Sequence, residues 1–99
     1  MKKGAEAPAE HLRGDLLGLS KLPNIGKALE DKLRQVGIET PDDLHGVGSK
    51  NAFLRIKSVD EGACLNTLYA LEGALQGVRW HYLSDEDKRS LKSYHQSIK

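Results

Sequence analysis

Apolar residues recur at helical intervals through most of this chain, and no stretch alternates in the manner of a strand. Leu29, Leu33 and Val36 share one helix face, with Glu30, Asp31, Lys32 and Arg34 spread around the remainder. Gly37 stands where a glycine just past the last turn would end that helix. Thr40-Pro41-Asp42-Asp43 reads as an N-cap, a proline at the first helical position and an acid at the third, close to a capping box. The short helix it opens carries Leu44 and stops at Gly46-Val47-Gly48, and Ser49 is placed to cap a further helix holding Ala52, Phe53 and Ile56. The longest periodic segment runs from Glu61 to Gln76. There Cys64, Leu68, Leu71 and Leu75 form a stripe that Leu65 and Tyr69 widen, and Gly77 ends it. A linker from Val78 to Leu83 brings in Trp80, and Ser84-Asp85-Glu86-Asp87 caps a last helix with Leu91, Tyr94 and Ile98 on one face. No hairpin dipeptide of the Asn-Gly kind interrupts the series. The pattern predicts an all-α fold, a compact bundle of about five short helices.

Residues 1–11 are polar and small, carry Pro8 and lack periodicity, and are expected to form a disordered tail. The helical domain then spans 12–99, with order expected to begin among Leu12, Leu16, Leu17 and Leu19, although Gly14 and Gly18 weaken any helix there. Ninety-nine residues suffice for one core and not for two. No apolar run is long enough to span a bilayer, and Met1 to Glu6 has no apolar stretch of the secretory kind. A single cysteine, Cys64, excludes an internal disulfide and fits a reducing cytoplasm. The formal net charge of +1 argues against a large electrostatic footprint on nucleic acid, though not against a local one.

One internal echo points to function. Leu22-Pro23-Asn24-Ile25-Gly26-Lys27 and Leu44-His45-Gly46-Val47-Gly48-Ser49 share the order Leu-x-x-aliphatic-Gly-polar, lie 22 residues apart, and each opens a helix. That is the pattern of a helix-hairpin-helix element, here in tandem, so the expected core is helix-hairpin-helix-like, of the SAM-like kind. Such hairpins suit phosphate contact, because glycine permits close backbone approach and the following helix offers its positive N-terminal end. Lys21, Asn24, Gly26 and Lys27 at the first hairpin, with Gly48, Ser49, Lys50 and Arg55 at the second, are the candidate DNA-binding residues. Their contacts would position the domain on a duplex without reading sequence. The alternative is that both hairpins merely connect helices, with Ile25 and Val47 in the core. Asp42 and Asp43 favour this alternative at the second hairpin, and the register slips where Leu29 of the first unit meets Asn51 of the second.

Between Leu19 and Leu91 the chain resembles the C-terminal domain of the TfoX/Sxy family of bacterial competence regulators. The resemblance rests on Leu22-Pro23-Asn24-Ile25-Gly26-Lys27, on Val36-Gly37-Ile38-Glu39-Thr40-Pro41-Asp42-Asp43-Leu44 and on Gly46-Val47-Gly48. It continues through Leu68-Tyr69-Ala70-Leu71-Glu72-Gly73-Ala74-Leu75-Gln76-Gly77 and Trp80, with Leu83 and Lys88 behind. The resemblance implies a helix-hairpin-helix-like domain, DNA binding, and a link to transcription of DNA-uptake genes. It supplies no catalytic residue. Full-length members place a separate N-terminal domain ahead of this one, whereas only a short polar tail is expected here, which opens the way to reuse as an adaptor.

Other chemistry is sparse. His11, His45, His81 and His95 have neither mutual nor cysteine spacing suited to zinc, so no metal or other cofactor is expected. His81 is expected to pack or cap beside Trp80. Cys64, on its apolar stripe, reads as a buried structural thiol. No P-loop and no Ser-His-Asp order occurs, so no enzyme is expected. Gly73, in mid-helix beside Ala70 and Ala74, creates a small face for close approach of another helix, in the same domain or in a homodimer. Lys88, Arg89, Lys92 and Lys99 give the final helix a basic surface, either solvated or supplementary to phosphate contact. Two functions follow: a DNA-binding or transcription-associated module, or a protein-interaction adaptor that does not touch DNA.

Overall fold

The computed structural model describes residues 18–98. The expected tail at 1–11, together with Leu12, Leu16, Leu17 and Lys99, lies outside the described residues. A 3-10 turn η1 (Leu19–Lys21) precedes α1 (Lys27–Gln35), α2 (Pro41–Val47), α3 (Ser49–Val59) and α4 (Leu65–Gln76). A second 3-10 turn, η2 (Trp80–Tyr82), then leads into α5 (Asp85–Ser97). Among the described residues there is no strand, as the periodicity predicts.

Helix ends fall where local chemistry places them. After α1, Gly37 adopts φ +86°. Its amide donates to Arg34 O and that of Ile38 to Leu33 O, which satisfies the last carbonyls. Gly77 does the same for α4 at φ +76°, with Val78 N donating to Gly73 O. The capping box of α2 is complete: Asp43 N donates to Thr40 Oγ1 at 3.0 Å, and Thr40 N to Asp43 Oδ2 at 3.2 Å. Ser84 Oγ accepts from Asp87 N at 3.0 Å and caps α5.

Helix α4 is the hub, packing against α2, α3, α5 and η2. Its Leu68 and Leu71 are fully buried with Phe53 and Ile56 of α3, Leu33 of α1 and Leu44 of α2. Each such side chain contributes about 1.5–3 kcal/mol by leaving water. Leu19 of η1 and Ile38 of the α1–α2 link are also fully buried, so the connections as well as the helices help to build the core.

Two expectations about α4 are corrected. The helix begins at Leu65, and Glu61 to Cys64 form a turn and its exit. Cys64 is therefore the N-cap and is exposed, not a buried member of the stripe. The small face at Gly73 receives a hairpin and the chain after α4, where a second helix was expected.

Candidate nucleic-acid interface

The first hairpin, Leu22 to Gly26, turns through Asn24, whose φ of +71° is left-handed. Asparagine tolerates that conformation, and its side chain has a second task. Asn24 Nδ2 donates to Val78 O at 2.9 Å and to Ala70 O at 3.4 Å, and Oδ1 accepts from Trp80 N at 3.1 Å. One side chain thus ties the hairpin to the end of α4 and to η2. Gly73 makes the approach feasible, since a Cβ there would lie 2.6 Å from Asn24 Nδ2 and 2.8 Å from Val78 O. Ile25 is buried at 4 % exposure and anchors the hairpin from beneath.

On its outer side the hairpin opens α1. Gly26 is the N-cap, is exposed, and offers no side-chain cap. Its φ of −95° suits any residue, and a Cβ on it would meet nothing within 4 Å. The fold therefore does not require glycine at position 26. Among the described residues, nothing accepts from the amides of Lys27 and Ala28, which face solvent at the positive end of the helix. Lys21 and Lys27 are exposed beside them, and Lys27 pairs only loosely with Asp31, at 3.5 Å. Glu30, in the first turn of α1, is 7 % exposed and turned to other work: it accepts from Ser20 N at 3.3 Å and lies 3.5 Å from Arg34 Nη2.

The second hairpin differs. Gly48, at φ +86° and ψ 159°, occupies a region open essentially to glycine alone, and it both ends α2 and caps α3. Ser49, expected as the cap, is the first residue of α3 and is 6 % exposed. Its hydroxyl donates to Glu72 Oε1 at 2.6 Å. A carboxylate of the chain itself thus sits at the N-terminal end of α3, the place that a phosphate would take. Lys50 is exposed and lies over the Tyr94 ring at 5.3 Å, while Arg55 Nη1 reaches Val36 O at 3.4 Å.

The fold therefore gathers Lys21, Gly26 and Lys27 on open surface at the first hairpin; at the second, Lys50 is exposed and Gly48 half-buried. The side chains of Asn24 and Ser49 are engaged internally. Arg55, more than a turn into α3, bridges to the α1–α2 link. A residue that the sequence did not single out joins the first hairpin: Arg79 is exposed and lies between Val78 and Trp80, the two backbone positions that Asn24 binds. Only the mid-helix glycine at 73 hinted at that juxtaposition.

No cluster of three or more His, Cys, Asp or Glu capable of holding a metal occurs among the described residues. The Cys64 thiol has its pKa lowered, chiefly by the Asn66 amide and then by that of Thr67, although it forms no full capping hydrogen bond. The carboxyl of Asp60 is held below the usual aspartate value, first by its bond to Lys32 Nζ and then by the Gly62 amide. That bond measures 2.6 Å and ties α1 to the end of α3. No helix of the described residues is long and apolar enough to cross a membrane.

Comparison with known proteins agrees with this architecture. An uncharacterized protein from Listeria monocytogenes, in a triclinic crystal form, superposes with a TM-score of 0.81 at 57 % identity, covering 82 % of this chain and 92 % of its own. A Listeria monocytogenes protein of unknown function in a tetragonal form gives 0.80 at 57 % identity, covering 82 % and 99 %. No curated protein matches. The family model for the TfoX C-terminal domain matches residues 17–95. With that match spanning the two hairpins, α4 and most of α5, the chain belongs to the TfoX C-terminal domain family.

Proposed function

We propose that this domain is a non-enzymatic, cytoplasmic binding module that contacts DNA phosphates, chiefly through the first hairpin. The observation that carries the reading is the uncapped N-terminus of α1. Gly26 leaves the first amides open where sterics and φ would accept a capping residue, Lys27 opens the helix, and the exposed Lys21 and Arg79 lie on the chain segments that meet at this hairpin. Thr40 and Ser84 satisfy the first turns of α2 and α5, whereas α3 and α4, like α1, carry no side-chain cap; α1 differs from these two in opening with a lysine directly after an exposed glycine. At the second hairpin Glu72 takes the anion's place beside Ser49, so Gly48, Ser49 and Lys50 contribute less and Arg55 little. Family membership supports a transcription-associated setting for such a module.

Binding of this kind is weak and independent of sequence. With about three phosphates neutralised, affinity falls by about two orders of magnitude between about 20 mM and about 150 mM salt. Fluorescence anisotropy with a labelled duplex tests it, using a Lys27→Glu, Arg79→Glu double variant that retains the wild-type melting temperature. Loss of binding in that variant is the expected result. Equal binding by both proteins, or none by wild type at the lower salt, overturns the reading. Absence of binding would assign the domain to the adaptor class, which its net charge of +1 favours.

A further inference from the structure

Beside the first hairpin lies a group of rings that phosphate contact leaves unused. Trp80 stacks with Tyr69 at a centroid distance of 5.6 Å and an interplanar angle of 18°, and with His81 at 4.0 Å and 25°. Tyr69 and His81 are thus each tilted by no more than 25° from the Trp80 plane. Tyr69 and Trp80 are half-buried, His81 is exposed, and Tyr82 next to it is 78 % exposed. Aromatic surface left this open in a short turn needs an explanation, because tyrosine gains by burial.

The turn is also held rigidly. Trp80 N donates to Asn24 Oδ1 at 3.1 Å, and Lys88 Nζ donates to His81 O at 3.1 Å. Tyr69 Oη donates to Lys88 O at 3.5 Å, which fixes the ring beneath. The backbone of the turn and the His81 ring stacked on Trp80 are therefore set in place before any ligand arrives, which lowers the ordering cost of binding, while the Tyr82 ring is free to close on a base. Arg79 opens the turn and is exposed, with Lys21 and Lys27 at the adjoining hairpin. The next acids along the chain, Asp85 and Glu86, begin α5 beyond the buried Leu83.

Flat exposed rings beside several cations match one chemistry, an unpaired base with its flanking phosphates. A duplex keeps its base faces stacked inside and cannot offer them, whereas a single strand can. We propose that η2 is a stacking platform for single-stranded nucleic acid: His81 and Tyr82 take an unpaired base while Arg79, Lys21 and Lys27 hold the phosphates beside it. This rests on the reading of the first hairpin as a phosphate site and adds the form of nucleic acid preferred there.

Trp80 is the only tryptophan of the chain, so its emission reports on the platform directly. The experiment titrates the protein at low salt with an oligothymidylate of about 12 nucleotides, a blunt duplex and inorganic polyphosphate. Both anisotropy and Trp80 fluorescence are read. The strand is expected to bind more tightly than the duplex and to quench Trp80, with polyphosphate binding without comparable quenching. A His81→Ala, Tyr82→Ala variant loses the His81–Trp80 stack but no buried side chain, and is expected to stay folded with a melting temperature within several degrees of wild type. It should lose about ten-fold in strand affinity with duplex affinity unchanged. The proposal is overturned if the variant binds the strand as wild type does, if polyphosphate quenches as strongly, or if the strand is not preferred. Should duplex and polyphosphate also fail to bind, the phosphate reading falls with it; should they bind, only the platform is lost.

Discussion

Asn24 and Gly73 are a matched pair, the side-chain amide of one occupying the space where the other lacks a Cβ. A methyl group on residue 73 would lie 2.6 Å from Asn24 Nδ2, 2.8 Å from Val78 O and 3.2 Å from Trp80 Cα. In a helix interior, glycine to alanine ordinarily gains about 1 kcal/mol. Gly73→Ala is expected to do the reverse, because two of the three neighbours are backbone and cannot swing aside. The loss should be about 1–3 kcal/mol, the usual range for overpacking. A thermal melt reads it as a drop of several degrees; an unchanged or raised midpoint would contradict the packing described.

The same pair predicts how substitutions at Asn24 rank. Asn24→Gly keeps access to φ +71° and loses only the three hydrogen bonds, whereas Asn24→Ala also strains the turn. Asn24→Asp sets a carboxylate against the carbonyls of Ala70 and Val78. Stability should fall in the order wild type, Gly, Ala, each step being about 1 kcal/mol, with Asp below Gly as well. Chemical denaturation measures the order, and an Asp variant as stable as wild type would refute these bonds.

Sequence order reveals some of this fold and conceals the rest for identifiable reasons. Thr40 with Asp43, Ser84 with Asp87, and Gly37 and Gly77 were legible because each acts within one turn of its own helix. Ser49 has the chemistry of a cap but does not act as one, because Gly48, with its positive φ, takes that position one residue earlier. Cys64 continued a helical spacing that the backbone does not follow, since the turn from Asp60 to Ala63 delays the helix to Leu65. Of the candidate site, the lysines and Gly26 were visible in the hairpin pattern. The inward role of Asn24 and the arrival of Arg79 depend on partners far along the chain, for which local pattern carries no signal.

Because Cys64 sits exposed at the start of α4, it should react in the folded protein. Its thiol lies below the ordinary 9.0, with the Asn66 and Thr67 amides favouring the thiolate. Ellman's reagent without denaturant should label it completely, with a rate midpoint below that value. A thiol that reacts only after unfolding would restore the buried reading.

Acid should remove one tie between α1 and the end of α3. The folded pKa of Asp60 is lowered from 3.8, first by Lys32, so its contribution to stability is present above that value and is lost as pH falls through the folded pKa. Asp60→Asn should therefore melt lower than wild type near neutrality, with the gap closing below about pH 3.8. Equal spacing of the two melting curves at every pH would show that the ion pair contributes nothing.

The open end of α1 is tested most directly by closing it. Gly26→Asp places a capping carboxylate over the free amides at a position with room for a side chain and an ordinary φ. Helix capping and the dipole should leave stability unchanged or raise it by up to about 1 kcal/mol. Duplex affinity of this variant at low salt, measured beside its melting curve, is the decisive number. A loss of about ten-fold or more in a protein at least as stable as wild type is the predicted result. Undiminished affinity would contradict the claim that the first hairpin receives phosphate.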